Sequence, residues 1–211
     1  MGELATGIVL AGGQSRRMGA DKAFVTLDGQ QLIERVMGAL RQVCGEIIVV
    51  SSDTRPYAML RARMVLDSIP SFGAIAGLHA ALQAMDTDLG VAVAVDMPLL
   101  SAPLLRAMVE AAAGWDAVIP AVASETARPD TARGRAKDLG IHPLHAVYRR
   151  SCVAAIRAAI ERDDRRLNAF LPAVRVRYFA AEEIRAYDPE LHSLVNVNTP
   201  EELRGLERGS H

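Results

Sequence analysis

Cysteine and aromatic residues are scarce in this sequence. Its 211 residues include two cysteines, Cys44 and Cys152, and only 4% are aromatic. Two cysteines without CxxC spacing support neither a disulfide framework nor a metal site, so we expect both to be small buried hydrophobic residues. With 50% hydrophobic and 23% charged residues, the composition is that of a globular protein. The length of 211 residues predicts one domain.

The net charge is also close to zero, and the sequence has no long apolar run. The chain carries 24 basic and 25 acidic residues, a formal charge of −1, so no global field attracts nucleic acid or a membrane surface, and neither is an expected partner. No apolar run approaches the roughly 18 residues of a membrane span. The first residues lack a signal-peptide pattern, so we expect a cytoplasmic protein. Residues 208–211 are interpreted as a tail added by cloning, which leaves a predicted domain of residues 1–207.

Short runs rich in Ile and Val alternate with longer segments of helical apolar spacing. The predicted strands are residues 6–11, 46–50, 64–66, 91–95 and 117–119. The predicted helices between them are residues 32–40, 78–85 and 104–109. This alternation predicts an α/β fold, a single-domain, mostly parallel, doubly wound Rossmann-like sheet with helices on both faces.

The second half is less regular. Residues 124–141 combine Arg, Lys, Asp, Gly and Pro with few apolar residues, which predicts a long excursion that is mobile or caps a site. Regular structure is then expected to resume. The predicted elements are strands at residues 144–148 and 174–178 and helices at residues 152–160 and 200–206, with Thr199 and Pro200 marking the start of the last.

A glycine-rich loop follows the first predicted strand. Residues 10–22 read LAGGQSRRMGADK and contain the cations Arg16, Arg17 and Lys22. Glycines let backbone N–H groups approach a polyphosphate, and the cations neutralise its charge, so the loop predicts a phosphate site. The residue order matches neither the P-loop motif nor the dinucleotide-binding fingerprint. The loop therefore supports neither a P-loop ATPase nor a Rossmann dehydrogenase. A plain connector with solvated arginines is the alternative.

Asp96 directly follows the predicted strand 91–95. We therefore expect its carboxylate at the carboxyl edge of the sheet, where open α/β sheets bind ligands. Mg²⁺ is usually held by one or two carboxylates together with substrate phosphates, so Asp96 is the predicted magnesium ligand. The alternative role is a helix cap, for which Ser101 is the better candidate. Asp67 follows strand 64–66 on the same rim, where a plain turn role is the alternative to ligand contact.

The loop resembles the signature L-A-G-G-x-S-x-R-M-G-x-D-K of molybdenum cofactor guanylyltransferases. Residues 73–77, 96–100 and 195–203 resemble further segments of that family in the same order, so the likeness covers nearly the whole chain. The chain departs from the family at Ala74-Ile75, where Pro-Leu is usual, and at Ser51, where Asn is common. Residues 124–141 are also longer than usual.

The resemblance implies transfer of GMP from GTP to the terminal phosphate of molybdopterin, with Mg²⁺ as cofactor and pyrophosphate as the second product. Guanine would lie near residues 10–13, and the triphosphate along the cations of the loop. The implied site residues are Leu10, Ala11, Gly12, Gly13, Lys22, Ser51, Asp67 and Asp96 for the nucleotide, Lys22, Arg16, Arg17 and Asp96 for catalysis, and Asn196 and Asn198 for the acceptor.

Other interpretations remain open. His142 and His145 have no nucleophile or orienting carboxylate at recognisable spacing, so acid–base catalysis is not predicted. A cytidylyltransferase of the same fold is one rival, although Gly12-Gly13, where those enzymes usually carry Ala-Gly, favours guanine. A non-catalytic nucleotide-binding protein is a second rival. A sugar-phosphate nucleotidyltransferase is a third, disfavoured because chains of that kind generally run longer and carry additional lysines. The sequence leaves open the oligomeric state and whether a partner protein delivers molybdopterin.

Overall fold

The computed structural model describes residues 5–11, 21–67, 69, 72–123 and 139–209. The predictions for Gly12, Gly13, Arg16 and Arg17, and for residues 124–138, lie outside these ranges. Within them, no helix is long and apolar enough to cross a membrane.

Most of the strands belong to one sheet. The strands are β1 (Ala5–Leu10), β2 (Thr26–Leu27), β3 (Gln30–Gln31), β4 (Glu46–Ser51), β5 (Arg63–Leu66), β6 (Leu89–Ala94), β7 (Ala117–Ala123), β8 (Leu139–Ile141), β9 (His145–Arg149) and β10 (Val176–Ala180). The large sheet has the order β10-β7-β9-β6-β1-β4-β5, and β8 pairs with β7. Strands β6, β1, β4 and β5 are parallel neighbours, whereas β9 is antiparallel to both β6 and β7.

Helices cover both faces of the sheet. They are α1 (Leu32–Arg41), α2 (Ala74–Ala84), α3 (Ala102–Glu110), α4 (Cys152–Glu161), α5 (Ala181–Arg185) and α6 (Pro200–Gly209). Apolar side chains of α1, α3 and α5 pack in one core cluster, and those of α2 and α4 in a second cluster on the opposite face. Each fully buried Leu, Ile or Val stabilises the fold by about 1.5–3 kcal/mol relative to an exposed one. The predicted doubly wound sheet with two helical layers is confirmed.

Several predicted element limits differ from the structure by a few residues. Strand β6 spans Leu89–Ala94 rather than residues 91–95, and β10 spans Val176–Ala180 rather than 174–178. The prediction of a long irregular excursion over residues 124–141 is wrong at its end. There Leu139–Ile141 forms β8, which pairs antiparallel with β7. Pairing with a neighbouring strand, rather than local composition, sets these limits. Ser101 caps α3 by accepting a hydrogen bond from the Leu104 N–H, as predicted.

A short hairpin, β2–β3, was not predicted. Its turn residues Asp28 and Gly29 have φ of 49° and 76°, the pair of left-handed conformations that a two-residue hairpin turn requires and that Asp-Gly adopts readily. Leu27 of the hairpin is buried with Leu32, Val197 and Leu203 in a third apolar cluster. The hairpin thus joins the segment after Lys22 to the C-terminal part of the chain.

Candidate active site

The carboxyl ends of four parallel strands meet at one edge of the sheet. Leu10 ends β1, Ser51 ends β4, Asp67 follows β5, and Asp96 lies two residues beyond β6. Backbone hydrogen bonds extend the pairing past the strands, from the Ala11 N–H to the Val50 carbonyl (2.9 Å) and from the Asp67 N–H to the Ser51 carbonyl (3.0 Å). Those residues of the predicted nucleotide site that the structure describes therefore lie side by side, as expected for such a sheet.

Among the described residues, Lys22 is the buried cation at this edge. It begins a 3-10 turn (Lys22–Phe24), and its side chain is only 10% exposed. Its Nζ donates to Asp96 Oδ2 at 2.9 Å and to Asn198 Oδ1 at 3.0 Å. Three residues from distant parts of the sequence, each predicted as a site residue, thus meet at one ammonium group. A lysine ammonium has three N–H donors, so one remains for a further acceptor such as a phosphate oxygen.

Asp96 has two unlike carboxylate oxygens. Oδ2 pairs with Lys22, whereas Oδ1 is buried and has no donor among the described residues. A buried carboxylate oxygen without a partner is costly, and a hard divalent cation with oxygen ligands would satisfy it. No group of three or more His, Cys, Asp and Glu side chains with metal-binding geometry occurs in the described part of the chain. Asp96 therefore fits a divalent cation held by one protein carboxylate together with substrate phosphates.

Asn198 is held in place by two anchors. The preceding residue, Val197, is fully buried, and its N–H donates to the Asp96 carbonyl at 2.9 Å. On the other side, the Asn198 N–H donates to Glu202 Oε2 in the first turn of α6. Glu202 Oε2 also accepts from the Thr199 N–H, and the Glu202 N–H donates to Thr199 Oγ1, a reciprocal helix cap. Asn196 is exposed and makes no side-chain hydrogen bond within the described residues. The structure brings Asn198, but not Asn196, to Lys22.

Ser51 and Asp67 both make local turn contacts. Ser51 Oγ accepts from the Asp53 N–H at 3.2 Å, and Asp67 Oδ1 accepts from the Ile69 N–H at 3.1 Å. This is the turn role that the sequence offered as the alternative for Asp67. Contact of either residue with a nucleotide stays a prediction.

Sequence reasoning missed the contacts of Tyr57. The side chain is fully buried, and its hydroxyl lies 2.7 Å from Asp21 Oδ2 and 3.1 Å from the Ala11 carbonyl oxygen. Burial, and then the Asp21 carboxylate, raise the pKa of Tyr57 above its usual value, so the hydroxyl remains a donor. Tyr57 lies in an irregular stretch without periodicity, and no local pattern in the sequence links it to Asp21.

His142 and His145, the two histidines considered in the sequence, do not have the surroundings of a catalytic base. His145 is fully buried in β9, and its Nδ1 lies 3.0 Å from the Ser193 carbonyl, to which it donates. Burial lowers the pKa of His145 to about 4, and burial also lowers the pKa of His142. His145 is therefore a neutral core residue that connects β9 to the segment leading to Asn198.

Acid should destabilise the protein through His145. Because its folded-state pKa of about 4 lies below the ordinary 6.5, its contribution is complete above pH 6.5 and is lost as the pH falls towards 4. The full difference corresponds to about 3 kcal/mol. Protonation would leave a second buried N–H, at Nε2, without an acceptor among the described residues. Between pH 7 and pH 4.5, we expect the free energy of unfolding measured with urea to fall less for His145→Gln than for the unchanged protein. Equal falls would assign the acid sensitivity to other groups.

Known proteins are similar to this chain in sequence and in fold. The sequence model of the MobA-like NTP transferase domain matches residues 7–177. The chain is 36% identical to the probable molybdenum cofactor guanylyltransferase of Chloroflexus aggregans, covering 95% of this chain and 92% of the relative. It is 32% identical to the molybdenum cofactor guanylyltransferase of Desulfosudis oleivorans, covering 97% and 95%.

A solved structure gives the same result. The crystal structure of molybdopterin-guanine dinucleotide biosynthesis protein A from Archaeoglobus fulgidus superposes with a TM-score of 0.77 at 30% identity, covering 97% of this chain and 98% of that one. Sequence and fold agree over nearly the full length of both proteins. The chain therefore belongs to the family of MobA-like NTP transferases.

Proposed function

We propose that this nucleotidyltransferase moves GMP from GTP to the phosphate of molybdopterin and releases pyrophosphate. The observation that carries the proposal is the convergence of Lys22, Asp96 and Asn198 at the nucleotide edge of the sheet. It is supported by relatives named as molybdenum cofactor guanylyltransferases that match nearly the whole chain. Because Asn198 and Asp96 both contact Lys22, a nucleotide bound beyond β1 and an acceptor bound near Asn198 would lie next to each other.

The reaction needs no dedicated base on the protein. The acceptor is a phosphate monoester with a second pKa near about 6, so at neutral pH it is already largely a dianion. One of its oxygens attacks the α-phosphorus of GTP, the bond from that phosphorus to the bridging oxygen breaks, and pyrophosphate leaves with the electron pair. This accounts for a site in which the histidines are not catalytic.

Catalysis then consists of aligning two anions and neutralising charge. Lys22 is fixed by Asp96 and Asn198, so its ammonium is already oriented before a phosphate oxygen takes the third N–H. Nucleotidyltransferases of this type need a divalent metal, and we propose that Asp96 holds Mg²⁺, which supplies further charge neutralisation at the phosphates. Arg16, Arg17, Gly12 and Gly13 are proposed to contact the triphosphate and base on the basis of the loop sequence.

Pyrophosphate release separates the candidate functions. Purified protein with Mg²⁺ and molybdopterin is assayed in parallel with GTP, CTP and ATP. We expect turnover with GTP at least ten times faster than with CTP or ATP, and no release without molybdopterin. Faster turnover with CTP would replace guanine by cytosine in the proposal. Nucleotide binding without pyrophosphate release, with active acceptor present, would refute the transferase function.

A further inference from the structure

Tyr57 joins two parts of the site that are separate in sequence. It ends a short 3-10 helix (Arg55–Tyr57) after β4, 46 residues beyond Ala11 and 36 beyond Asp21. Its hydroxyl contacts the Ala11 carbonyl, at the end of β1, and the Asp21 carboxylate, immediately before Lys22. Ala11 and Asp21 are the described residues on either side of positions 12–20. The Tyr57 hydroxyl thus lies between the two chain segments that flank those positions.

The contact with Asp21 is the stronger of the two. A hydroxyl has one proton, and the 2.7 Å distance to the carboxylate is that of a charge-assisted hydrogen bond, whereas the carbonyl lies at 3.1 Å. The phenol ring is fully buried and stacks on Phe24 of the Lys22–Phe24 turn, with ring centroids 5.3 Å apart. The ring of Tyr57 therefore packs on the turn that contains Lys22, and its hydroxyl binds the residue that precedes this turn.

Asp21 transmits this constraint to Lys22. Its Oδ1 accepts the Ala23 N–H at 3.1 Å and so begins the turn, while its Oδ2 is held by Tyr57. Asp21 itself is exposed, and among the described residues these two contacts hold its carboxylate. Rotation of the carboxylate would release the Ala23 N–H in the middle of the turn and move the backbone from which the Lys22 side chain reaches Asp96 and Asn198.

We propose that Tyr57 is a positioning residue for catalysis, which sets the place of Lys22 through Asp21 without contacting substrate. The inference rests on the role proposed for Lys22 in binding the triphosphate. It assigns a function to a residue far from the glycine-rich loop in sequence, and it makes the hydroxyl, rather than the ring, the group that matters.

Tyr57→Phe removes only the hydroxyl, and Tyr148→Phe is its matched control. Tyr148 is also fully buried, its hydroxyl donates to the Pro143 carbonyl at 2.8 Å, and its ring packs on Phe170. We expect both variants to lower the thermal midpoint by a few degrees. Only Tyr57→Phe should lower kcat/KM, by at least about tenfold, because a displacement near 1 Å can cost on the order of 100-fold in rate. Equal kcat/KM for the two variants would overturn the proposal.

A double-variant cycle tests the route through Asp21. Asp21→Ala should reduce kcat/KM at least as much as Tyr57→Phe, and adding Tyr57→Phe to it should cost less than about twofold more, because both changes break the same link. Effects that multiply would refute that link. Equilibrium binding of a fluorescent GTP analogue with Mg²⁺ is measured on the same variants. If the unchanged protein released no pyrophosphate, the proposed function would fail. Weaker binding by both Tyr57→Phe and Asp21→Ala, with normal binding by Tyr148→Phe, would still support the positioning role.

Discussion

Replacing Lys22 with alanine should lower kcat about 100- to 1,000-fold, as expected when a group that stabilises transition-state charge is removed. The ammonium is preoriented by Asp96 and Asn198 and buried from competing solvent. The substitution removes the cation and also leaves Asp96 with no partner for Oδ2 among the described residues. Lys22→Arg keeps the charge but has a planar fork in place of a compact ammonium, so we expect it to recover little of the lost rate.

Arg63→Ala is the control for the loss of one positive charge. Arg63 begins β5 and pairs with Asp86 and Glu46 at the opposite edge of the same sheet. Pyrophosphate release is measured for both variants under saturating GTP. We expect Arg63→Ala to stay within twofold of the unchanged protein. Near-normal turnover by Lys22→Ala would show that its amine does not act on the phosphates.

Asp96→Asn should be similarly damaging, with a loss of about 100-fold or more in kcat. The change keeps the shape of the side chain but removes the charge that orients Lys22 and the anionic oxygen predicted to bind Mg²⁺. It should also raise the Mg²⁺ concentration at half-maximal rate about tenfold, because a neutral amide oxygen is a weaker ligand for a hard cation. The shift of the thermal midpoint by Mg²⁺ and GTP together provides a readout independent of turnover.

Asp86→Asn makes the same chemical change at the far edge of the sheet. Asp86 is largely exposed and pairs only with Arg63 among the described residues. Its variant should keep the normal Mg²⁺ dependence. If Asp96→Asn also kept it, Asp96 would not be the magnesium ligand.

The parallel half of the sheet and its edge were predictable because they depend on local patterns. Buried parallel strands give short runs of Ile and Val, and a rule of α/β sheets places whatever follows such strands at one edge. This was enough to bring Lys22 near Asp96. Asn198 was found by resemblance alone, since nothing local in an irregular segment indicates that its amide reaches a lysine 176 residues earlier.

The remaining features depend on contacts between distant parts of the chain. The sequence of β9 indicates a strand but not its antiparallel direction or its position between β6 and β7. Nor does a lone tyrosine show that its hydroxyl will meet Asp21, or a histidine that packing will bury it completely. Such contacts are settled by tertiary packing, which has no signature in spacing or composition.

The position of β9 has a consequence for synthesis of the protein. Strands β6 and β7 leave the ribosome before β9, yet neither completes its pairing in the sheet until β9 lies between them. Until residue 149 has emerged, the nascent chain carries an apolar strand, β6, with an open hydrogen-bonding edge that can pair with other chains. Substitutions that weaken β9 should therefore lower the yield of folded protein by aggregation during translation, even where the finished molecule tolerates them.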